Sequence, residues 1–166
     1  MPGKAYQTAR QDFTEGPVGG NMSAVSALMG SYSDMSDDVK LRTEKDPATV
    51  REYFTDENYI SNFKLQLVAG NNFPADPAQK NEKFLIVNEK FVANFKLGTP
   101  SDAIGKPVIV GDSTSLVIRG VVKDFLFKPA EYSLEPMMMR YDPGQWQILN
   151  LRIASDNTVQ TVAQLE

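Results

Sequence analysis

The residue types that most often perform chemistry in proteins are missing from this sequence, which contains no His and no Cys. Without His there is no Ser-His-Asp triad and no imidazole to bind a transition metal. Without Cys there is no thiolate nucleophile, thiolate metal site or disulfide. An enzyme would have to rely on Asp, Glu, Lys, Tyr or Ser, as glycosidases rely on two carboxylates. Because no such pair stands out, we predict that the protein is not an enzyme and that it uses no cofactor.

Three aspartates in one segment are the best candidates for a metal site. Asp34, Asp37 and Asp38 supply the carboxylate oxygens that Ca²⁺ prefers. Their spacing is not that of an EF-hand loop, and the Gly and Glu that such a loop needs do not follow at the right intervals. We therefore expect a solvated loop. The charges of Asp56 and Glu57 are better explained by the dipole of a helix that starts there.

Asp124 and Gly120 belong to one predicted strand and the turn after it. We expect Asp124 to cap or hydrogen-bond a turn rather than to act as a functional carboxylate. We expect Gly120 to permit a bulge or a close backbone approach rather than ligand binding. The glycine-rich stretch over residues 16–20 is not followed by Lys and Ser or Thr, so it is not a phosphate loop.

A possible surface for a partner or ligand is formed by Met137, Met139 and Trp146. Methionine side chains adapt to apolar ligands of irregular shape, and Trp146, beside Pro143 and Gly144, is suited to stacking on a sugar or a partner. The simpler interpretation is packing. In that case Trp146 belongs to the core, and two of the three methionines at 137–139 face opposite sides of a partly buried strand.

The composition excludes several classes of partner. The net charge is -4 and the sequence pI is near 4.9, and the basic residues are scattered rather than clustered. This argues against binding to nucleic acid or to an anionic lipid surface. No stretch approaches the roughly 18 apolar residues of a membrane span, and no apolar run follows Met1–Lys4, as a signal peptide would require. We expect a soluble piece of a longer protein.

The periodicity of apolar residues predicts many strands and a few short helices. Strands are predicted over 22–28, 39–41, 49–54, 65–68, 84–87, 107–110, 115–122, 135–141 and 146–153. Four helices are predicted. The first spans 6–13, and the second follows an N-cap at Thr55-Asp56 and has an apolar side of Tyr59, Ile60 and Phe63. The third follows an N-cap at Asn88, and the fourth is a single turn after Thr99. Loops are predicted over 30–38 and 69–83. The fold class is therefore α+β, with mixed and antiparallel sheets.

An ordered set of segments resembles the MacB-like periplasmic core domain of ABC transporter permeases, a superfamily that includes FtsX and LolCE. The segments, given by residue range and sequence, are 53–59 YFTDENY, 65–73 LQLVAGNNF, 86–89 IVNE, 103–107 AIGKP, 118–125 IRGVVKDF, 135–136 EP and 149–153 LNLRI. The last of them is similar to members of the Bacteroidetes type. The resemblance covers residues 17–166, and it departs from the family pattern at Asn71, where Arg is usual, and at Leu126, where His is common.

The resemblance implies two lobes. Residues 1–38 would begin a lobe similar to the porter subdomains of efflux pumps, and residues 142–166 would begin its truncated second part. Residues 39–141 would form an inserted, Sabre-like lobe. The resemblance also implies the periplasmic side of an inner membrane as the location.

The function that the resemblance implies is mechanical. The domain would couple ATP hydrolysis in the cytoplasm to the export of a substrate or lipoprotein. Its partners would be a cytoplasmic ABC ATPase, reached through the membrane part, and a second permease copy. A periplasmic adaptor or an outer-membrane protein is a further candidate, and no nucleic acid is expected. The alternative is a free extracytoplasmic ligand- or carbohydrate-binding module, which would present aromatic residues in a concave site.

Overall fold

The structure is a computed structural model, and it describes residues 21–28, 35–42, 46–76, 80–127 and 133–152. Three sequence predictions lie outside these ranges: the helix over 6–13, the glycine-rich stretch over 16–20 and the metal-site candidate Asp34. The other predicted elements fall wholly or largely within the described residues.

The described residues form strands and a few short helices. The strands are β1 Asn21–Val25, β2 Ser36–Leu41, β3 Ala48–Phe54, β4 Leu67–Gly70, β5 Phe84–Asn88, β6 Pro107–Val110, β7 Thr114–Val122, β8 Met137–Arg140 and β9 Ile148–Arg152. The α-helices are α1 Tyr59–Asn62, α2 Glu89–Asn94 and α3 Pro100–Ala103, and a 3₁₀ turn spans Asn81–Lys83. This α+β composition confirms the predicted fold class.

Most of the strands belong to one sheet that closes on itself. The strand order is β4-β7-β5-β8-β3-β2-β6, and β6 pairs with β7 as well as with β2. The first half of β7 pairs with β6, whereas its second half pairs with β5 and β4. We call the closed set β7, β5, β8, β3, β2 and β6 the ring. Closure leaves none of these strands as a continuous free edge.

The remaining two strands form a separate two-stranded sheet, which we call the ribbon. β1 pairs antiparallel with β9, and the register runs from Asn21 opposite Arg152 to Val25 opposite Ile148. The ribbon therefore joins the beginning and the end of the described chain, and the ring lies between them in sequence.

Every strand of the ring contributes to one buried cluster, the inner core. β-Branched residues suit these positions because they pack well on a pleated surface. The cluster includes Val39, Val50, Leu85, Val108, Ile118 and Met138, together with Phe91 and Val92 of α2 and Phe95, which caps its end. The alternation of side chains along each strand sends the intervening residues to the other face. Over β3, β5, β8 and the end of β7 that face is covered by a second cluster, which includes Tyr53, Tyr59, Ile86 and Phe127.

Helix α2 shows how the sequence fixes one local structure. Asn88 accepts a hydrogen bond at its side-chain oxygen from the backbone N–H of Phe91, as the sequence predicted. The same oxygen accepts from the N–H of Met137, and the Asn88 amide donates to the carbonyl of Glu135. Asn88 thus caps α2 and also fixes the start of β8. The predicted turn after Thr99 is confirmed as α3, with a capping box between Thr99 and Asp102.

Several predicted boundaries are wrong. β2 begins at Ser36, within the segment predicted as a loop over 30–38, because pairing with β3 and β6 makes it a strand despite its polar residues. The N-cap of α1 is Asn58 rather than Thr55 or Asp56, and its side chain makes no capping hydrogen bond. Phe63, predicted to face the core, is 44% exposed and stacks on Tyr59 instead. The predicted loop over 69–83 contains the end of β4 and the 3₁₀ turn.

The two predicted lobes and their boundaries stay a prediction. Both strands of the ribbon lie in the segments assigned to the porter-like lobe, and the strands of the ring lie between them. The proposed boundary at residues 38 and 39 falls inside β2.

Candidate functional site

The ribbon and the ring meet at a contact that we call the junction. Backbone hydrogen bonds form its centre. Ser26 donates its N–H to the carbonyl of Phe54 over 2.9 Å, and the N–H of Phe54 donates to the Ser26 hydroxyl over 3.0 Å. Asp56 donates its N–H to the carbonyl of Ala24 over 3.2 Å. The end of β1 therefore continues as a short antiparallel contact with the end of β3.

Helix α1 packs against the ribbon beside these bonds. Asn62, the last helical residue, is only 8% exposed. Its Nδ2 donates to the Ser23 Oγ of β1 over 2.8 Å and to the backbone carbonyl of Asn150 in β9 over 3.2 Å. Since Ser23 and Asn150 are direct partners in the ribbon register, one amide group contacts both strands at the same pair of residues.

Aromatic side chains fill the rest of the junction. Trp146 is 7% exposed and belongs to a cluster with Met22, Ala24 and Phe54. It meets Tyr141 edge to face at 5.3 Å between ring centroids, and Tyr141 meets Phe73 at 5.7 Å. These are favourable geometries for aromatic pairs. Residues from both sheets contribute to this cluster, so the junction has an apolar core of its own.

Tyr141 also has a polar contact, with Glu57. Burial raises the pKa of the Tyr141 hydroxyl well above its ordinary value, and the negative charges of Glu57 and Asp56 and a hydrogen bond with Glu57 add to this effect. Burial likewise raises the pKa of the Tyr59 hydroxyl, helped by Tyr53 and Asp56. Both phenols stay protonated across the physiological range, so neither supplies a base.

A charged group lies where β3 and β8 reach the junction. The Arg140 guanidinium contacts the Glu52 carboxylate at 2.6 Å and lies 5.2 Å from the centre of the Phe54 ring. Asp37 is 3.9 Å away on the same guanidinium. Burial raises the pKa of Glu52, and the Arg140 hydrogen bond and charge oppose that shift. Arg140 therefore links charges of β2 and β3 to an aromatic ring of the junction cluster.

Met137 and Met139 are fully buried, and so is Met138 between them. The alternation is as predicted, because Met138 faces the inner core and the other two face the opposite cluster. The predicted partial burial of this strand is wrong, because both faces of β8 are covered. In this conformation Met137, Met139 and Trp146 are core residues, and a binding role for them stays a prediction that would require them to be uncovered.

The acidic residues of β2 do not converge. Adjacent strand residues point to opposite faces, and the Asp38 carboxylate accepts a hydrogen bond from the Thr49 hydroxyl, whereas Asp37 lies near Arg140. An open groove of about 370 Å³ runs past them, lined by Asp37, Asp38, Lys40, Pro47, Gly111 and Asp112. Within the described ranges, no three acidic, His or Cys side chains are grouped so that they could hold a metal ion.

The structural roles predicted for Asp124 and Gly120 are confirmed. The Asp124 carboxylate accepts from the N–H of Lys90, and the N–H of Asp124 donates to the Glu89 carboxylate, so the two acidic residues fix the start of α2. A Cβ on Gly120 would lie 2.6 Å from the backbone oxygen of Asn71, which is too close. The pairing of β5 with β7 also shifts by one residue just before Gly120.

Asn62 is the junction residue that sequence reasoning missed. A signal existed, because the tetrapeptide Asn-Phe-Lys-Leu occurs twice, at 62–65 and at 94–97. Each copy ends a helix. The repeat marks two equivalent helix ends, but it does not reveal that only the first of them contacts the ribbon.

The sequence model of the MacB-like periplasmic core domain matches residues 4–165 of this chain. A search of curated proteins found no match. None of the helices in the part of the chain that the structure describes is long and apolar enough to cross a membrane.

Solved structures share the fold. The periplasmic region of MacB from Actinobacillus actinomycetemcomitans superposes with a TM-score of 0.66 at 13% identity, over 96% of this chain and 69% of that one. A domain of a putative permease protein from Porphyromonas gingivalis gives 0.59 at 13% identity, over 92% and 70%. The extracellular domain of the noncanonic ABC-type transporter YknZ from Gram-positive bacteria gives 0.59 at 14% identity, over 85% and 68%. The match to the family model, with a fold shared by these domains, shows that the chain belongs to the family of MacB-like periplasmic core domains of ABC transporter permeases.

Proposed function

We propose that this domain transmits motion: ATP hydrolysis by an ABC ATPase in the cytoplasm displaces the ribbon, and the ring follows as one body. The observation that carries the proposal is the contrast between the two sheets. The ring is closed, its inner face is packed, and its outer face is covered over β3, β5, β8 and the end of β7, so bending it would break strand pairing or expose apolar surface. The ribbon is small, and it consists of the first and the last strand of the described residues.

The partners of this activity are the ATPase, acting through the membrane part of the permease, and a second permease copy. An adaptor protein or an outer-membrane protein is a further candidate on the periplasmic side. Together with these partners, the domain would export a substrate or release a lipoprotein.

The alternative of a free ligand- or carbohydrate-binding module has less support. It requires aromatic side chains and polar groups that converge on a concave surface. Among the described residues, Trp146, Tyr141 and Phe73 pack on one another in the junction. The groove on the ring beside Asp37 has no aromatic residue in its lining.

A distance measurement in the complete permease tests the proposal. This chain has no Cys, so a spin label on Ser115→Cys, an exposed position of β7, would report the distance between two permease copies. We expect that distance to change when ATP is added to the permease reconstituted with its ATPase. As a control, a Ser115→Cys and Lys90→Cys pair within one copy should keep its distance, because both positions belong to the ring and its packed helix. An unchanged distance between copies, or a changed distance within one copy, would contradict the proposal.

A further inference from the structure

The two copies of Asn-Phe-Lys-Leu form the same local structure, which makes one a natural control for the other. In the first copy Leu65 donates its N–H to the carbonyl of Ile60 over 2.9 Å, and in the second Leu97 donates to Val92 over 3.0 Å. Lys64 and Lys96 both have a positive φ, of 53° and 50°. Both helix ends are therefore Schellman motifs.

The asparagines of the two copies have different surroundings. Asn62 and Asn94 are each the last residue of their helix. Asn94 is exposed, whereas Asn62 is buried and donates to both strands of the ribbon. Since the second motif forms with an exposed Asn94, the helix end does not require the buried contact. The contact that Asn62 makes must therefore serve the ribbon.

We propose that Asn62 is a positioning residue that fixes the orientation of the ribbon on helix α1, so that displacement of the ribbon reaches the ring. This inference rests on the mechanical function proposed above and names the side chain that performs the coupling. A donor is needed here, because the Ser23 hydroxyl and the Asn150 carbonyl both accept from the same amide nitrogen. With these two bonds the Asn62 amide reaches both ribbon strands, whereas the Ser26 hydroxyl contacts β3.

The Asn62→Ala variant should fold. The Oδ1 of Asn62 is buried and has no hydrogen-bond partner, so truncation removes an unsatisfied acceptor together with the two donated bonds. Unpaired buried polar groups are costly, and their removal offsets part of the loss. The net loss in the free energy of unfolding should therefore be small enough for the variant to fold.

Hydrogen exchange on this chain tests the contact directly. In Asn62→Ala, the amides paired between β1 and β9 should exchange about tenfold faster, as expected for loss of a hydrogen-bonded contact that limits local opening. Amides of the ring that exchange through local fluctuations should keep their rates. Ser23→Ala, which removes one of the two acceptors, should give an intermediate effect, and Asn94→Ala should leave the ribbon unchanged. Unaltered ribbon exchange in Asn62→Ala would overturn the inference, as would equal acceleration in the ribbon and the ring, which indicates a general loss of stability.

The coupling itself is tested in the complete permease with the Ser115 label. In Asn62→Ala we expect ATP hydrolysis to continue while the ATP-dependent change in distance between the copies is lost or reduced severalfold, with Asn94→Ala behaving as wild type. An undiminished change in distance in Asn62→Ala would overturn the inference and leave the proposed function standing. If the wild-type protein showed no change with ATP while the exchange result held, the proposed function would fail and Asn62 would remain only as the residue that fixes the ribbon.

Discussion

At the scale of single residues, the buried Glu52 is the clearest case of a group whose surroundings change its behaviour. The carboxylate is 7% exposed and has an Arg140 partner at 2.6 Å. Burial raises its pKa above the ordinary value of 4.5, and the hydrogen bond and charge of Arg140 oppose that shift only in part.

This shift predicts a pH dependence of stability. Between 4.5 and the raised pKa, the folded protein binds more protons than the unfolded chain, so the free energy of unfolding falls as the pH rises through that window. Glu52→Gln removes the titration but keeps an oxygen that accepts from Arg140. We expect wild type to lose stability relative to Glu52→Gln as the pH rises above 4.5, measured by urea unfolding from acidic to neutral pH. A difference that is constant with pH would contradict the assignment.

At the scale of elements, the two Asn-Phe-Lys-Leu motifs carry a backbone cost. Lys64 and Lys96 occupy the left-handed region, where Cβ crowds the following carbonyl. Glycine avoids that crowding and is the residue most often found at this position after a helix.

Replacement of either lysine by glycine should therefore stabilise the fold. We expect Lys64→Gly and Lys96→Gly each to raise the free energy of unfolding by about 0.5–1 kcal/mol, measured by chemical denaturation. The matched control is Lys90→Gly, at an exposed position of α2 with helical backbone, where we expect a loss of about 0.5–1 kcal/mol. Destabilisation by all three changes would show that backbone entropy, rather than left-handed strain, dominates at these helix ends.

Local signals were sufficient to predict some elements. Two helix starts are determined by contacts within a few residues. One is Asn88, which follows an apolar run, and the other is Thr99, which precedes Pro100 and forms a capping box with Asp102. β2 was missed in part because its first residues, Ser36 to Asp38, are polar and become a strand only by pairing with β3 and β6. The full burial of Met137–Met139 likewise depends on both faces of the sheet being covered, which one strand does not reveal.

The candidate site was harder to predict than the fold. Asn62 lies 39 residues from Ser23 and 88 residues from Asn150 in the sequence, so its role depends on a contact between strands from opposite ends of the described chain. The resemblance to a family indicated the fold class, but it assigned no role to Asn62.

At the scale of the whole molecule, the junction decides whether ribbon and ring unfold together. The only Trp of the sequence, Trp146, lies in the junction cluster and is 7% exposed. Its fluorescence therefore reports on the docking of the ribbon, whereas far-UV circular dichroism reports mainly on the larger ring.

We expect the two signals to give coincident unfolding curves in wild type, because backbone bonds, Asn62 and the aromatic cluster all join the sheets. In Asn62→Ala the Trp146 transition should shift to lower denaturant concentration than the circular dichroism transition, whereas Asn94→Ala should keep the two coincident. Separate transitions in wild type would mean that the ring is stable without the ribbon.

The ribbon register has one further consequence. Asn21 and Arg152 are partners at one end of the ribbon, so the chain enters and leaves the described body side by side. If the flanking segments are pulled apart, the hydrogen bonds, which lie perpendicular to the strands, are loaded one after another and the ribbon unzips at low force. If both segments are pushed or pulled in the same direction, no force separates the two strands and the ribbon moves with its hydrogen bonds intact. The geometry thus favours joint movement of the two flanking segments and yields when they separate.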